Sequence, residues 1–501
     1  MARQENGKTI IRSGLVTQPD SPRAEPADIL VVDGTLMQIG PPGFAAPPDA
    51  NELDARDMLI HPGLINAHTH GGQLWGRSRT DRMTLETLLA GAPWGNRDKT
   101  AEDKRLAALV CAAEMVLKGC TAAYDMYAEF PLPTHDGVDS IASAYAEVGM
   151  RAVVAPQVSD ISFFEAIPGL MDALPPDLRA HVPETRPGSA DACLSALDEI
   201  LRNWRWSSQD IHIALGPTIP HHCTEGFICG CAKLARKFGA RLQTHVSESK
   251  VQAIAGQRLY GDTLTQQLDR WGVLGPDFTA AHAVWLTDDD MKLMADRGAS
   301  VAHNAGSNMS LGNGMFQLRR MIDAGVTVAI GSDGNSCSDN QNIYESMRYA
   351  SMMAKVQTPH MDRWATSGEI YHAATVGGAK ALGLKGVGEI RDGFKADLVF
   401  IDLTRPTWMP HNSTVAQIVQ AEDGTSVRHV MVGGRMLVRD RELLTVDLVA
   451  LSRKVESARQ RFNEALGSSR DLLARLNDAV DRYCSSLADE PYSVRRYLCE
   501  A

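Results

Sequence analysis

The chain has 501 residues, 44% of them hydrophobic and 22% charged, with a formal net charge of -11. That balance belongs to a soluble globular protein with room for one large and one smaller domain, and it excludes a nucleic-acid surface, which needs clustered Lys and Arg. Nine scattered cysteines without a CxxC pair, no apolar run near the ~20 residues that span a bilayer, and an opening MARQENGKTIIRSG without a signal-peptide core together predict a soluble cytoplasmic protein with no membrane partner.

Residues 9–16 and 29–32 are rich in β-branched and apolar side chains, and Asp33-Gly34 marks a hairpin turn before a third strand at 36–39. Residues 41–48, rich in Pro and Ala, read as a loop. From about residue 60, apolar strand-like runs alternate with amphipathic helical stretches. Strands are expected at 64–67, 121–124, 150–155, 211–215, 240–244, 279–281, 300–302 and 327–330, with helices such as 101–118, 226–238 and 288–296 between them. Repeated βα units of this number predict a parallel (β/α)8 TIM-type barrel, with its active site at the C-terminal ends of the strands.

A helical stretch at 367–381 follows, and strand texture returns at 388–390, 396–401 and 427–432. The last 50 residues are helical and charged, with Val455, Phe462, Leu466 and Leu473 as packing positions, suited to a cap or an oligomer contact. The expected class is therefore α/β. Both chain ends contribute to a small β-sandwich, at 1–60 and 384–445, around a metal-dependent barrel at 61–383, and a helical extension occupies 446–501.

Histidines fall at the ends of these strands. His68 and His70 follow the run from Pro62 to Ala67, and residues two apart on a strand point to the same side. His245, His282 and His303 each end another apolar run, and Asp333 ends the last. Neutral imidazole and carboxylate suit zinc or another borderline divalent ion. A single buried His is more often a hydrogen-bonded structural residue, but six such groups on one barrel face point to a metal centre.

These residues resemble the amidohydrolase superfamily. The resemblance rests on Pro62-Gly63-Leu64-Ile65-Asn66-Ala67-His68-Thr69-His70, Thr244-His245-Val246-Ser247-Glu248-Ser249, Ala281-His282 and Gly331-Ser332-Asp333-Gly334. It extends through Ser307-Asn308-Met309-Ser310-Leu311-Gly312 to Gly388-Glu389-Ile390 and Lys395-Ala396-Asp397-Leu398, and it is closer to the triazine hydrolase and aminohydrolase branch. The resemblance implies that His68, His70, His245 and Asp333 hold one divalent metal, zinc ahead of iron. It also implies a proton-shuttling Glu248, a water-polarising His282, and a homodimer or homotetramer. Two-metal members bridge their ions with a carboxylated lysine on the fourth strand; the chain has no lysine between Lys118 and Lys233, which supports a single ion.

The expected reaction is hydrolytic deamination of a small aminated N-heterocycle by a hydroxide generated at the metal, with Asp333 taking the water's proton. Rival readings are cleavage of a urea, carbamate or amide C–N bond or displacement of halide by the same machinery, and a scaffold with a degenerate site. Gln73, Trp75, Trp94, His221, His222, Trp285, His303 and Asn335 are candidates for the substrate pocket. The Trp side chains are included because aromatic walls suit a flat ring.

Overall fold

The computed structural model describes residues 7–19, 21, 23–96, 99–467 and 469–498, with the side chains of residues 209, 465 and 466 left aside. β1 (Lys8–Val16), β2 (Glu25–Val32) and β3 (Thr35–Gly40) form an antiparallel meander. The Asp33-Gly34 turn takes positive φ at both positions, as a tight hairpin needs. β4 (Asn51–Asp54) and β5 (Met58–Pro62) run parallel to β1.

The barrel follows: β6 (Leu64–Thr69), β7 (Cys120–Ala128), β8 (Arg151–Val158), β9 (Ile211–Pro217), β10 (Arg241–Val246), β11 (Phe278–His282), β12 (Ser300–His303) and β13 (Thr327–Ile330). They lie side by side in chain order with every neighbour parallel. Its interior is lined by small side chains, Ala67, Ala122, Ala214, Ala302 and Ala329, filled in by Tyr124, Met126 and Val153. Where β13 meets β6, the Asp333 N–H donates to the His68 carbonyl at 2.9 Å, and Asn66 bonds both the backbone N–H and the hydroxyl of Ser332. A Cβ on Gly331 would lie 3.0 Å from the His68 backbone and 2.2 Å from Asn304 Oδ1; only glycine lets the last strand come this close to the first.

β14 (Leu398–Asp402), β15 (Val427–Val432), β16 (Arg435–Arg439) and β17 (Glu442–Leu443) return to the opening sheet, with β14 antiparallel to β5. The sandwich expected from both chain ends thus takes the form of one continuous nine-stranded mixed sheet around Ile11, Ile29, Leu36, Ile60 and Phe400. Arg151, at the start of β8, grips Asp397 through two hydrogen bonds of 2.7 and 2.9 Å and so ties the barrel to this sheet.

The expected strand at 388–390 is absent. Positive φ at Gly386, Gly388 and Gly393 bends the chain there, and Ile390 is bonded by the Gln18 side chain instead of a strand ladder. The helix expected at 367–381 is broken into Ser367–His372 and Gly378–Leu382 by one wider π-type turn, Ala373–Gly377.

At the C-terminus, helix Leu448–Gly467 packs Val455 and Phe462 on the barrel. Helix Arg470–Ala488 packs Leu473, Leu476, Val480 and Leu487 into a cluster with helix Leu85–Asn96. The Leu466 side chain lies outside the described residues. Among the described residues no helix is long and apolar enough to cross a membrane.

Candidate metal centre and active site

His68, His70 and His245 share one design. The Nδ1 of His68 lies 2.6 Å from Gln243 Oε1, that of His70 2.5 Å from the Met126 carbonyl, and that of His245 2.6 Å from the Thr218 carbonyl. Each partner is a hydrogen-bond acceptor, so each Nδ1 carries the proton and each Nε2 presents a lone pair inward. The Nε2 atoms of His70 and His245 are only 3.2 Å apart, and the buried His68 Nε2 has no hydrogen-bond partner among the described residues. Converging lone pairs repel in a buried site, and a cation between them relieves the repulsion. Burial keeps the His70 and His245 rings neutral, as ligands must be: it pushes His70 down to about 4 and His245 well below 6.5.

Asp333 supplies the anionic ligand. Its Oδ1 lies 3.6 Å from His68 Nε2 and 3.4 Å from His70 Nε2, and its Oδ2 lies 3.6 Å from His282 Nε2. Burial opposes its charge, but the surrounding imidazoles of His68, His282 and His70 hold the carboxyl well below the usual range. The donor atoms of His68, His70 and His245, and those of His68, His282 and Asp333, lie within 4.8 Å of one another. These four, His68, His70, His245 and Asp333, fit a divalent metal on donor chemistry alone. β9, the fourth barrel strand, reads IHIALGP and bears neither Lys nor Glu, so no side chain on that strand offers a bridge to a second ion.

His282 and Glu248 stand beside the centre. His282 Nδ1 bonds Asn308 Oδ1 at 2.9 Å and lies 3.6 Å from Glu248 Oε1. Glu248 is buried in the bend between β10 and helix Lys250–Tyr260, where Asn313 Nδ2 donates to its Oε1 at 3.0 Å. Burial, then the charges of Asp333 and Glu86, push the Glu248 carboxyl well above the usual range, which favours its protonated form. The backbone is bent to aim these groups: His282 and Asp333 hold φ of 68° and 64°, a left-handed conformation that costs a non-glycine residue on the order of 1–3 kcal/mol and persists where the surroundings enforce it.

A cavity of about 40 Å³ adjoins His70, His245, Glu248, His282 and Asp333. Its remaining walls are Leu85, Leu88 and Leu89 of helix Leu85–Asn96, together with Gln73, Gln157, Thr218, Ile219, Leu311 and Cys337. A larger cavity of about 740 Å³ opens at the other end of β13, beside Thr327 and Val328, away from the metal ligands.

Of the residues expected to contact substrate, only Gln73 lines the small cavity. Trp75 instead packs its ring 4.7 Å from Phe462, and Trp94 is buried with Phe163, Phe164 and Leu476 behind the leucine wall. Trp285 donates to the Asn313 carbonyl and faces Tyr492 and Tyr497. His221 and His222 sit edge to face in the turn Pro220–His222, beside Phe163. His303 stacks 4.1 Å from Phe316, and Asn335 is held between Arg77 and Cys111. Sequence reasoning missed Gln243, which shares a strand face with His245, and it missed the leucine wall, whose spacing is that of any packed helix.

The model for the amidohydrolase family matches residues 59–437. The chain belongs to the amidohydrolase family. Among similar amidohydrolases, the 5-methylthioadenosine/S-adenosylhomocysteine deaminase of Pyrococcus furiosus is 31% identical over 440 residues, covering 87% of this chain and 97% of that one. The 5'-deoxyadenosine deaminase of Methanopyrus kandleri is 32% identical over 401 residues, covering 80% and 85%. The crystal structure of an adenosine deaminase from Xanthomonas campestris with bound zinc superposes with a TM-score of 0.81 at 25% identity, covering 91% and 99%.

Proposed function

We propose that this amidohydrolase is a single-zinc aminohydrolase that replaces the amino group of an adenine ring with oxygen, releasing ammonia, and that it acts on a 5'-modified adenosine. The observation that carries this reading is a buried, proton-favouring Glu248 beside His282 and the His/His/His/Asp centre, in a chain 31–32% identical to deaminases of such nucleosides.

His68, His70, His245 and Asp333 would hold the ion; a divalent cation there lowers the pKa of water from 15.7 towards ~7 and supplies hydroxide at neutral pH. Every other step belongs to the chain. His282 donates through Nδ1 to Asn308, so its Nε2 accepts a hydrogen from the attacking water and aligns it. The Asp333 carboxylate accepts the proton that this water loses. Glu248, protonated, gives its proton to a ring nitrogen beside the amino-bearing carbon, which makes that carbon more electrophilic. As the C–N bond breaks, the proton held on Asp333 leaves with the amine as ammonia and the proton of the added hydroxyl returns to Glu248, so water and amine exchange with atoms in balance and both carboxyls restored.

Leu85, Leu88, Leu89, Ile219 and Leu311 give the cavity an apolar wall, which favours an apolar 5' substituent over a charged one. Gln157, whose Oε1 is buried without a partner among the described residues, offers an acceptor for a substrate N–H. The cavity holds only a few waters at its present size, so a purine needs more room than this conformation gives. Zinc-loaded protein given 5'-deoxyadenosine, 5'-methylthioadenosine and adenosine should release ammonia, fastest from the first two. Turnover without ammonia, or none by a fully metallated sample, would reject the reading.

A further inference from the structure

The chain beyond residue 437 lies outside the matched family region, yet its segment 492–497 reaches the barrel mouth. Arg496 is 3% exposed. Its guanidinium donates to the carbonyls of Val284, at 2.8 Å, and Leu286, and its own carbonyl accepts the Met315 N–H at 2.9 Å. A Cβ on Gly314 would lie 2.9 Å from the Arg496 Cβ, so the two segments touch directly. Tyr492 and Tyr497 flank the Trp285 ring with centroids at 6.0 and 5.1 Å. Trp285, between the two carbonyls that Arg496 holds, donates its Nε1–H to the Asn313 carbonyl at 2.7 Å. Asn313 in turn donates to Glu248. Bonded groups therefore run without a gap from the C-terminal segment to the proposed acid.

A buried guanidinium is costly unless its donors are satisfied, and burial pulls Arg496 down to about 10. A neutral side chain could fill the same space at lower cost, which leaves the geometry it imposes as the reason for the charge. One planar fork spans two backbone carbonyls and fixes the spacing between segment 284–286 and loop 313–315.

We propose that Arg496 is a positioning residue for catalysis: by clamping these two segments it sets Asn313, and through Asn313 the plane of the Glu248 carboxyl, so that the C-terminal extension completes the active site. This rests on the acid–base role proposed for Glu248. Nothing in the arrangement requires contact between Arg496 and substrate or metal.

The test compares the full-length protein with Arg496→Ala, Arg496→Lys, Asn313→Ala and the Arg496→Ala/Asn313→Ala double variant. Metal content, kcat and KM are measured with 5'-deoxyadenosine, and hydrogen exchange is followed over residues 311–316. Arg496→Ala should keep stoichiometric metal, lose about 10–10²-fold in kcat with a smaller change in KM, and exchange faster over 311–316. Lysine should restore part of the rate. In the Asn313→Ala background the Arg496 substitution should add less than about threefold, because residues acting through one another are not additive.

Wild-type kcat and exchange in Arg496→Ala, or full additivity in the cycle, would overturn the proposal. If Arg496→Ala fails to fold, Trp285→Phe removes only the N–H to Asn313; it should lower kcat in the same way, and a wild-type rate there would also overturn it. Glu248→Gln separates the two ideas. Normal turnover in that variant rejects the acid–base role itself, whereas an inactive Glu248→Gln beside an unaffected Arg496→Ala rejects the clamp alone.

Discussion

Gln243→Leu tests the outward anchoring of the metal ligands. Of the three acceptors that orient the ligand imidazoles, two are backbone carbonyls, of Met126 and Thr218, beyond the reach of side-chain substitution. The third is the Gln243 side chain, whose Oε1 lies 2.6 Å from His68 Nδ1 and whose own Nε2 donates to the Ala67 carbonyl at 3.0 Å. Leucine keeps the volume and removes both bonds. His68 is then free to carry its proton on Nε2, the atom that must face the ion, and losing a partner of this kind costs 10–100-fold in metal affinity, about 1.4–2.7 kcal/mol. The unpaired His68 Nδ1–H and Ala67 carbonyl would each cost the fold a further ~1–3 kcal/mol where buried.

Chelator competition on full-length protein measures the first quantity and urea unfolding of the metal-free form the second. Gln243→Glu retains an acceptor for Nδ1–H and should lose less affinity than leucine. A Gln243→Leu protein that holds zinc within twofold of wild type would refute the argument that this bond sets the tautomer of His68.

Glu248→Gln should keep its metal and lose about 10²–10⁴-fold in kcat, read as ammonia release; near-normal turnover would remove its proton-transfer role. His68→Ala should fall below stoichiometric metal by elemental analysis, and stripping the wild type with a chelator should lower Tm by an amount that zinc restores. An unchanged metal content or Tm would show that the centre lies elsewhere. Stability should also fall as pH drops from about 6.5 to about 4. His61 is buried between the Pro62 carbonyl and the Tyr344 hydroxyl, and burial lowers it from 6.5 to about 4. The unfolded chain therefore takes up its proton first, so this stability is complete above about 6.5 and is lost through that window, up to about 3 kcal/mol. His61→Gln should make the urea midpoint less steep between pH 6.5 and 4; equal slopes would count against it.

The barrel is legible because parallel strands covered on both faces read as unbroken apolar runs, and each expected barrel strand overlaps an observed one. Strands of the outer sheet hide where that rule fails. Asn51–Asp54 is polar and mostly exposed, and Arg435–Arg439 begins and ends with arginine. At the site, the metal-binding and proton-transfer candidates stand out because polar groups end apolar strands. Gln243 was readable by the same rule, two residues before His245 on one face of β10, but an amide carries less chemical signal than an imidazole. The pocket is less legible, for a different reason. Aromatic rings were expected against substrate, whereas Trp75, Trp94 and Trp285 bury their large surfaces against Phe462, Phe163 and the C-terminal tyrosines, where more apolar area leaves water.

Two kinds of chain segment therefore meet at this centre. The metal ligands, His282 and Glu248 lie on or just beyond barrel strand ends, where hydrogen bonding across parallel neighbours holds each in register and the 3.2 Å approach of two imidazole nitrogens can be maintained. The wall over them comes from helix Leu85–Asn96, which is covered in turn by helix Arg470–Ala488 through Leu473, Leu476 and Val480. A Ser249–Glu86 hydrogen bond of 2.6 Å pins that wall directly beside Glu248. Substitutions in the barrel ends should consequently change whether the chemistry occurs at all, and substitutions in the wall should change which ring it is done to. Leu88 lines the cavity and has no atom that could bind a metal, so relatives that share the centre can differ in substrate without altering a metal-binding residue.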